Sequence, residues 1–232
     1  MKIPEDVINE QAERVQSLFR YWEPYMENHV DFWDIPGSLD IHTQGHCERV
    51  LMHALRIGEA RHFADEEMQA LSLASIFHDT RRKDNYLDTG HGARAAEHLK
   101  KAFPSTDDMR SVLSKIEDGR EYTDSQLALI RKMAYAAVFF HDRDDVLGEK
   151  YIRQHFAEGI ERDEAMEVYH IFKDADALDR LRLGEWCLDP EFLRTKEAKG
   201  MQPFAQNLVE VTTPGDELMK TYKTMEPFRP KH

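Results

Sequence analysis

Apolar residues recur every three or four positions in six stretches, roughly 7–25, 47–57, 68–77, 93–103, 127–140 and 166–183. That is the period of a helix burying one face. Asp65, Thr89, Asp124 and Asp163 stand where N-caps are expected for four of these stretches. Breaks fall at Ile35-Pro36-Gly37, after Phe103, and around Glu117-Asp118-Gly119. No run alternates β-branched and polar residues, so no sheet is expected. The pattern predicts an all-α protein, a single compact helical bundle. Residues 1–37 would supply an N-terminal helix packed on a core domain of residues 38–185. After Leu188-Asp189-Pro190 the period loosens, and residues 186–232 are expected to form a short, loop-rich C-terminal extension packed on the same domain.

Composition narrows the class. The longest apolar stretch, 133–140, is far below the ~20 residues that a membrane-spanning helix needs. The first residues lack the apolar segment of a secretory leader. Cys47 and Cys187 form no framework and no metal-type pair, and read as reduced thiols in a cytoplasmic protein. A net charge of −13 argues against a nucleic-acid polymer as partner, because such binders need a basic footprint. A small anionic substrate stays open, since a local cationic site can override the global charge.

Chemistry enters at the end of the third apolar run. His78 and Asp79 follow Leu71-Ser-Leu-Ala-Ser-Ile-Phe77, a segment that should be buried. A buried carboxylate needs a cation or strong donors beside it, and imidazole with carboxylate suits a divalent first-row metal. Other helices aim similar groups inward: His46 lies four before Val50, His141 four after Ala137, and Asp176 four after Phe172. A lone histidine on an apolar face is more often a hydrogen-bonded core residue than a ligand. Several such groups on four helices together favour a metal site built in a bundle.

In this order, His46-Cys-Glu-Arg49-Val50, then His78-Asp79, then Lys173-Asp174-Ala-Asp176-Ala-Leu-Asp-Arg180, the chain resembles the HD-domain metal-dependent phosphohydrolases over roughly residues 40–183. The resemblance implies a helical bundle of the HD type, with His46, His78, Asp79 and Asp176 as metal ligands and Asp174 as the rival of Asp176. His91 and His141 stand where some members hold a second metal bridged by the HD aspartate, and where others face the substrate phosphate. The implied cofactor is one or two divalent ions (Mn, Fe, Co, Ni or Zn, with Mg also compatible). The implied partner is a small phosphorylated substrate, with a nucleotide as the first candidate; a homodimer is compatible.

The sequel Thr80-Arg81-Arg82-Lys83-Asp84 lacks the Glu-Asp pair of guanosine tetraphosphate hydrolases, and the Gly-Tyr-Pro motif of cyclic-dinucleotide phosphodiesterases is missing. Neither substrate carries over. Arg81, Arg82 and Lys83, with Arg180, are candidate phosphate contacts, although a basic patch at a helix end is equally expected from the dipole. Arg49 is expected behind the ligands, paired with a carboxylate such as Asp79 or Asp176, and Asp174 is a further supporting residue. Asp79 would hold the reacting centre, and His141, Asp142 and His91 are candidates for proton transfer. His42 reads as a rim residue, His53 and His98 as supporting donors, and His62, His155, His170 and His232 as exposed. A di-iron oxygenase on the same scaffold, a non-catalytic metal-containing module and a phosphodiesterase remain as alternatives.

Overall fold

A computed structural model describes residues 2–35, 43–85, 88–116 and 120–229. Among these the chain forms twelve α-helices, four short 3-10 turns and no strand. The helices are α1 (Glu5–Asn9), α2 (Glu13–His29), α3 (Gln44–Ala60), α4 (Asp65–Phe77), α5 (His91–Ala102) and α6 (Thr106–Leu113). They continue with α7 (Asp124–Phe140), α8 (Asp145–His155), α9 (Ile160–Leu178), α10 (Lys196–Gly200), α11 (Gln202–Thr212) and α12 (Gly215–Met225). No helix among the described residues is long and apolar enough to cross a membrane.

The core is arranged around α4, which is buried from Glu67 to Phe77. Its neighbours are α3, α7 and α9, with α2 and α5 adding contacts. A helix buried on every side cannot carry unpaired polar groups. Accordingly Ser72 and Ser75 return their hydroxyls to the carbonyls of Met68 and Leu71, and Gln69 accepts from Trp22 Nε1 at 2.9 Å. Val15, Leu18, Phe19, Trp22 and Met26 of α2 lie three or four residues apart and form the stripe that covers this core. The link 61–64 folds α4 back along α3, and α5 packs on α7.

The N-terminal stretch expected as one helix is two. Ala12 is extended (φ −58°, ψ 145°), and Gln11, buried, spends its side-chain amide on the Val7 carbonyl, closing α1. The final stretch is also divided: α9 stops at Leu178 and a 3-10 turn, Asp179–Leu183, continues it. The expected aspartate caps shift. Ala64, Thr123 and Gly159 precede α4, α7 and α9, while Asp65 and Asp124 are the first residues inside their helices, where a negative charge meets the positive end of the dipole. Gly90, with φ +96°, takes the position expected for Thr89, because the left-handed backbone there favours glycine. Asp144 does cap α8, its carboxylate accepting from Val146 N. The C-terminal segment is more helical than expected: α11 and α12 pack on the turn after α9, and α10 and α11 also reach α3.

Candidate metal centre

Five helix ends meet at one end of the bundle. His46 lies in the first turn of α3 and His91 is the first residue of α5. His78 and His141 immediately follow α4 and α7, and Asp176 lies in the last turn of α9. Three of these are helix C-termini, whose dipoles favour a cation. Asp79 sits in the turn after α4, fixed by Thr80, whose hydroxyl donates to the Phe77 carbonyl and whose own carbonyl accepts from Trp33 N at 3.0 Å.

All four histidines are oriented alike. Their Nδ1 atoms donate outward: His46 to Asp179 Oδ2 at 2.7 Å, His78 to the Ser75 carbonyl at 2.9 Å, His91 to the Asp88 carbonyl at 2.8 Å and His141 to the Val138 carbonyl at 2.7 Å. Carbonyls and carboxylates only accept, so the proton is on Nδ1 and each Nε2 offers a lone pair inward. Two such lone pairs face each other at 3.0 Å between His46 and His78, and at 2.7 Å between His91 and His141. Lone pairs repel at this range unless a cation lies between them.

The remaining distances have the same character. His46 Nε2 is 3.5 Å from Asp79 Oδ2 and 3.2 Å from Asp176 Oδ1, and His78 Nε2 is 3.9 and 3.8 Å from the same two oxygens. On the other side, Asp79 Oδ1 is 3.0 Å from His91 Nε2 and 3.7 Å from His141 Nε2. Donors bound to one ion at about 2.1 Å can lie at most about 4.2 Å apart. Each of these distances fits that limit. Thus two buried groups, His46-His78-Asp79 and Asp79-His91-His141, could hold one or two metal ions, with Asp79 giving a different oxygen to each. Asp176 brings a further carboxylate beside His46 and His78 of the first group, and its side chain, 30% exposed, leaves that side open.

Electrostatics suit the assignment. Burial pushes His78 down to about 3, against the pull of Asp79 and Asp176, so it stays neutral as a ligand must. For Asp176 burial opposes the charge, but the close approach of His46, with His78 and His141 beside it, outweighs burial and holds the carboxyl well below its usual range. His141 is pushed above its usual value: burial works against its protonation, but the adjacent Asp79 and Asp176 carboxylates prevail, the same negative field that would draw a metal ion to this side.

Behind the ligands lies Asp179, fully buried, which sequence reasoning did not single out. It accepts from His46 Nδ1 and takes Arg49 in a two-pronged contact, Nε at 2.6 Å and Nη2 at 3.1 Å. Arg49 therefore pairs with Asp179, where Asp79 or Asp176 was expected. Its signal in the sequence is only the spacing to Asp176, three residues earlier on the same helical face.

The candidate cations separate clearly. Arg82 is buried and reaches the cluster, with Nη1 3.5 Å from Asp79 Oδ1 and 3.1 Å from His91 Nε2. Arg81 instead turns to the Asp31 carbonyl and the Trp33 ring, and Lys83 and Arg180 are exposed. Arg182, buried, donates to the Asp179 carbonyl at 2.9 Å and lies 3.4 Å from its Oδ2. Asp142 accepts from Gly90 N and lies 3.5 Å from His91 Nδ1, the far side of that ring from Asp79. It supports His91 and the start of α5; it does not face the inward lone pairs. Gly92 permits this approach, since a Cβ there would stand 2.7 Å from the Val138 carbonyl and 2.9 Å from Asp142 Oδ1.

Asp174 points elsewhere. Fully buried, it accepts from the backbone N–H groups of Arg194 and Thr195, the Thr195 hydroxyl and Arg194 Nη1. It ties the C-terminal segment to α9 and leaves Asp176 at the cluster. His98 bonds Thr80 Oγ1 at 3.0 Å, whereas His53 is buried beside Phe204 and adds no nitrogen to either group. His62 and His155 are exposed and His170 half-buried, bonded to Glu149; His42 and His232 lie outside the described residues. Both cysteines are free thiols, with Cys47 buried 3.8 Å from His78 Nδ1.

Comparison of the chain with protein-family models, curated proteins and solved structures returns no match. What stands is the helical fold with its buried His/Asp cluster, which fits an HD-type arrangement and is compatible with a metal-dependent enzyme.

Proposed function

We propose that the chain is an HD-type metal-dependent phosphohydrolase acting on a phosphate ester of a small metabolite, with a nucleotide as the first candidate. The division of Asp79 carries this reading: one oxygen faces His46 and His78, and the other faces His91 and His141. The donor set of imidazoles and carboxylates suits Mn, Fe, Co, Ni or Zn over a purely oxygen-bound ion. A divalent ion held there supplies an activated water near neutral pH and polarises a phosphoryl oxygen.

The chain's own groups supply the rest. Arg82 beside Asp79 and His91, and Arg182 beside Asp179, bring buried guanidinium charge to the cluster. Such groups recognise phosphoryl oxygens in pairs and stabilise charge that develops on them. Asp179 and the Ser75, Asp88 and Val138 carbonyls hold the four imidazoles in the tautomer that leaves Nε2 available. The assembly of all six donors also favours a second reading, a di-iron oxygenase on the same scaffold. Iron-loaded protein would then consume oxygen in the presence of its substrate.

The test is a screen of purified protein, supplemented with each metal, against nucleoside mono-, di- and triphosphates and generic mono- and diesters. Phosphate release that is lost in Asp79→Ala, together with bound metal, is the expected result. Release unchanged in that variant would overturn the assignment, and oxygen uptake without phosphate release would favour the second reading.

A further inference from the structure

The two groups that share Asp79 are not equal in charge. The first draws on two carboxylates, Asp79 Oδ2 and Asp176 Oδ1, beside the His46 and His78 imidazoles. Among the described residues the second group contains one carboxylate oxygen, Asp79 Oδ1, and a guanidinium already lies against it: Arg82 Nη1 is 3.5 Å from that oxygen and 3.1 Å from His91 Nε2. Arginine does not deprotonate in proteins, so this positive charge is a fixed part of the second position. A further carboxylate there, Asp142, sits behind the His91 ring, accepts from Gly90 N, and lies 3.4 Å from Arg143 Nε. It does not offset Arg82 on the side where an ion would bind.

We propose that Arg82 is a built-in counter-cation of the second position: the chain by itself holds one divalent ion, at His46, His78, Asp79 and Asp176, and takes a second together with a phosphate group that draws Arg82 off Asp79. The inference rests on the metal-centre reading and concerns its loading. One dication balances Asp79 and Asp176, and Arg82 already leaves the cluster positive. A second dication without a new anion would place further uncompensated charge in a buried site. A phosphate group offsets it and offers Arg82 a pair of oxygens that a guanidinium fork matches. By linkage, phosphate and the second ion must then tighten each other by the same factor. Arg82 would thus make full loading of the centre depend on substrate.

The test is a Mn2+ titration of the full chain by calorimetry, with electron paramagnetic resonance reporting single or spin-coupled ions. It is run with and without inorganic phosphate, on the wild type, Arg82→Met and Arg82→Gln. In the wild type the first ion should bind at least about tenfold more tightly than the second, and phosphate should close that gap. The two neutral variants should bind the second ion at least about tenfold more tightly without phosphate, and lose most of the phosphate effect. Melting curves show which variants fold, and either one suffices. Equal tight binding of two ions to the phosphate-free wild type would overturn the proposal, as would a second-ion affinity unchanged in the folded neutral variant. Absence of any Mn2+ binding, or binding indifferent to Asp79→Ala, would instead overturn the metal-centre reading beneath it.

Discussion

Asp179 shows how much a single buried side chain organises. It holds the His46 tautomer and neutralises Arg49, with Arg182 alongside. Burial opposes its charge, but Arg49, the His46 hydrogen bond and Arg182 hold its carboxyl far below the usual range. Asp179→Asn keeps the shape and an acceptor but removes the charge, leaving two buried guanidinium groups under-compensated. Removing one partner of a buried ion pair costs ~3–5 kcal/mol, and loss of an orienting carboxylate behind a ligand costs ~10–100-fold in metal affinity. Chemical denaturation and a Mn2+ titration should show both losses; an unchanged Mn2+ affinity would remove Asp179 from the centre. At this scale helical phase pointed to His46, His78, Asp79, His141 and Asp176, and the family resemblance added His91. Asp179 was missed because its partner Arg49 lies 130 residues away, and nothing local marks the pairing. Of the three cations in a row, only the turn geometry after Asp79 could choose Arg82.

At the scale of elements, the long periodic helices were legible and the short ones were not. α6 and α8 are only a few turns long and half exposed, so their stripes are too brief to read. Cap positions shifted because an acidic residue in the first turn satisfies the dipole about as well as one at the cap. Glu67 shows the cost of such a placement. In the first turn of α4 it accepts from Ala64 N at 2.7 Å, yet it is buried. Burial, with Glu164, Glu167 and Glu66 nearby, pushes its pKa up from the ordinary 4.5 to about 7 despite that hydrogen bond. The folded state thus favours the protonated carboxyl. Its contribution is complete below the unfolded value of 4.5 and is lost as pH rises through about 7. Glu67→Gln keeps the acceptor and has no charge to bury. It should match the wild type near pH 4.5, then gain over pH 5–7 to an advantage on the order of 2 kcal/mol at pH 8. Melting temperatures of the two proteins across that range decide it, and a constant difference would contradict the account.

Over the whole molecule, the all-α class followed from period alone, because apolar stripes at helical spacing have no other way to be buried. The C-terminal segment was less legible: its short helices pair with the turn after α9, and Asp174 anchors them through four donors on Arg194 and Thr195. Such contacts join residues about twenty apart in sequence through backbone groups that carry no side-chain signature. Asp174→Ala should lower stability by about 3 kcal/mol, since it orphans buried donors and Arg194. Mn2+ affinity should hold, and a large loss of it would mean that the anchor and the centre are one unit. The proposed function requires a metal ion held by the cluster around Asp79. Anomalous scattering from crystals of the chain grown with Mn2+ tests it most directly. A peak about 2.1 Å from His46 Nε2, His78 Nε2, Asp79 Oδ2 and Asp176 Oδ1 is expected, with any second peak on Asp79 Oδ1, His91 and His141. Mn2+ bound elsewhere with this cluster empty would contradict it.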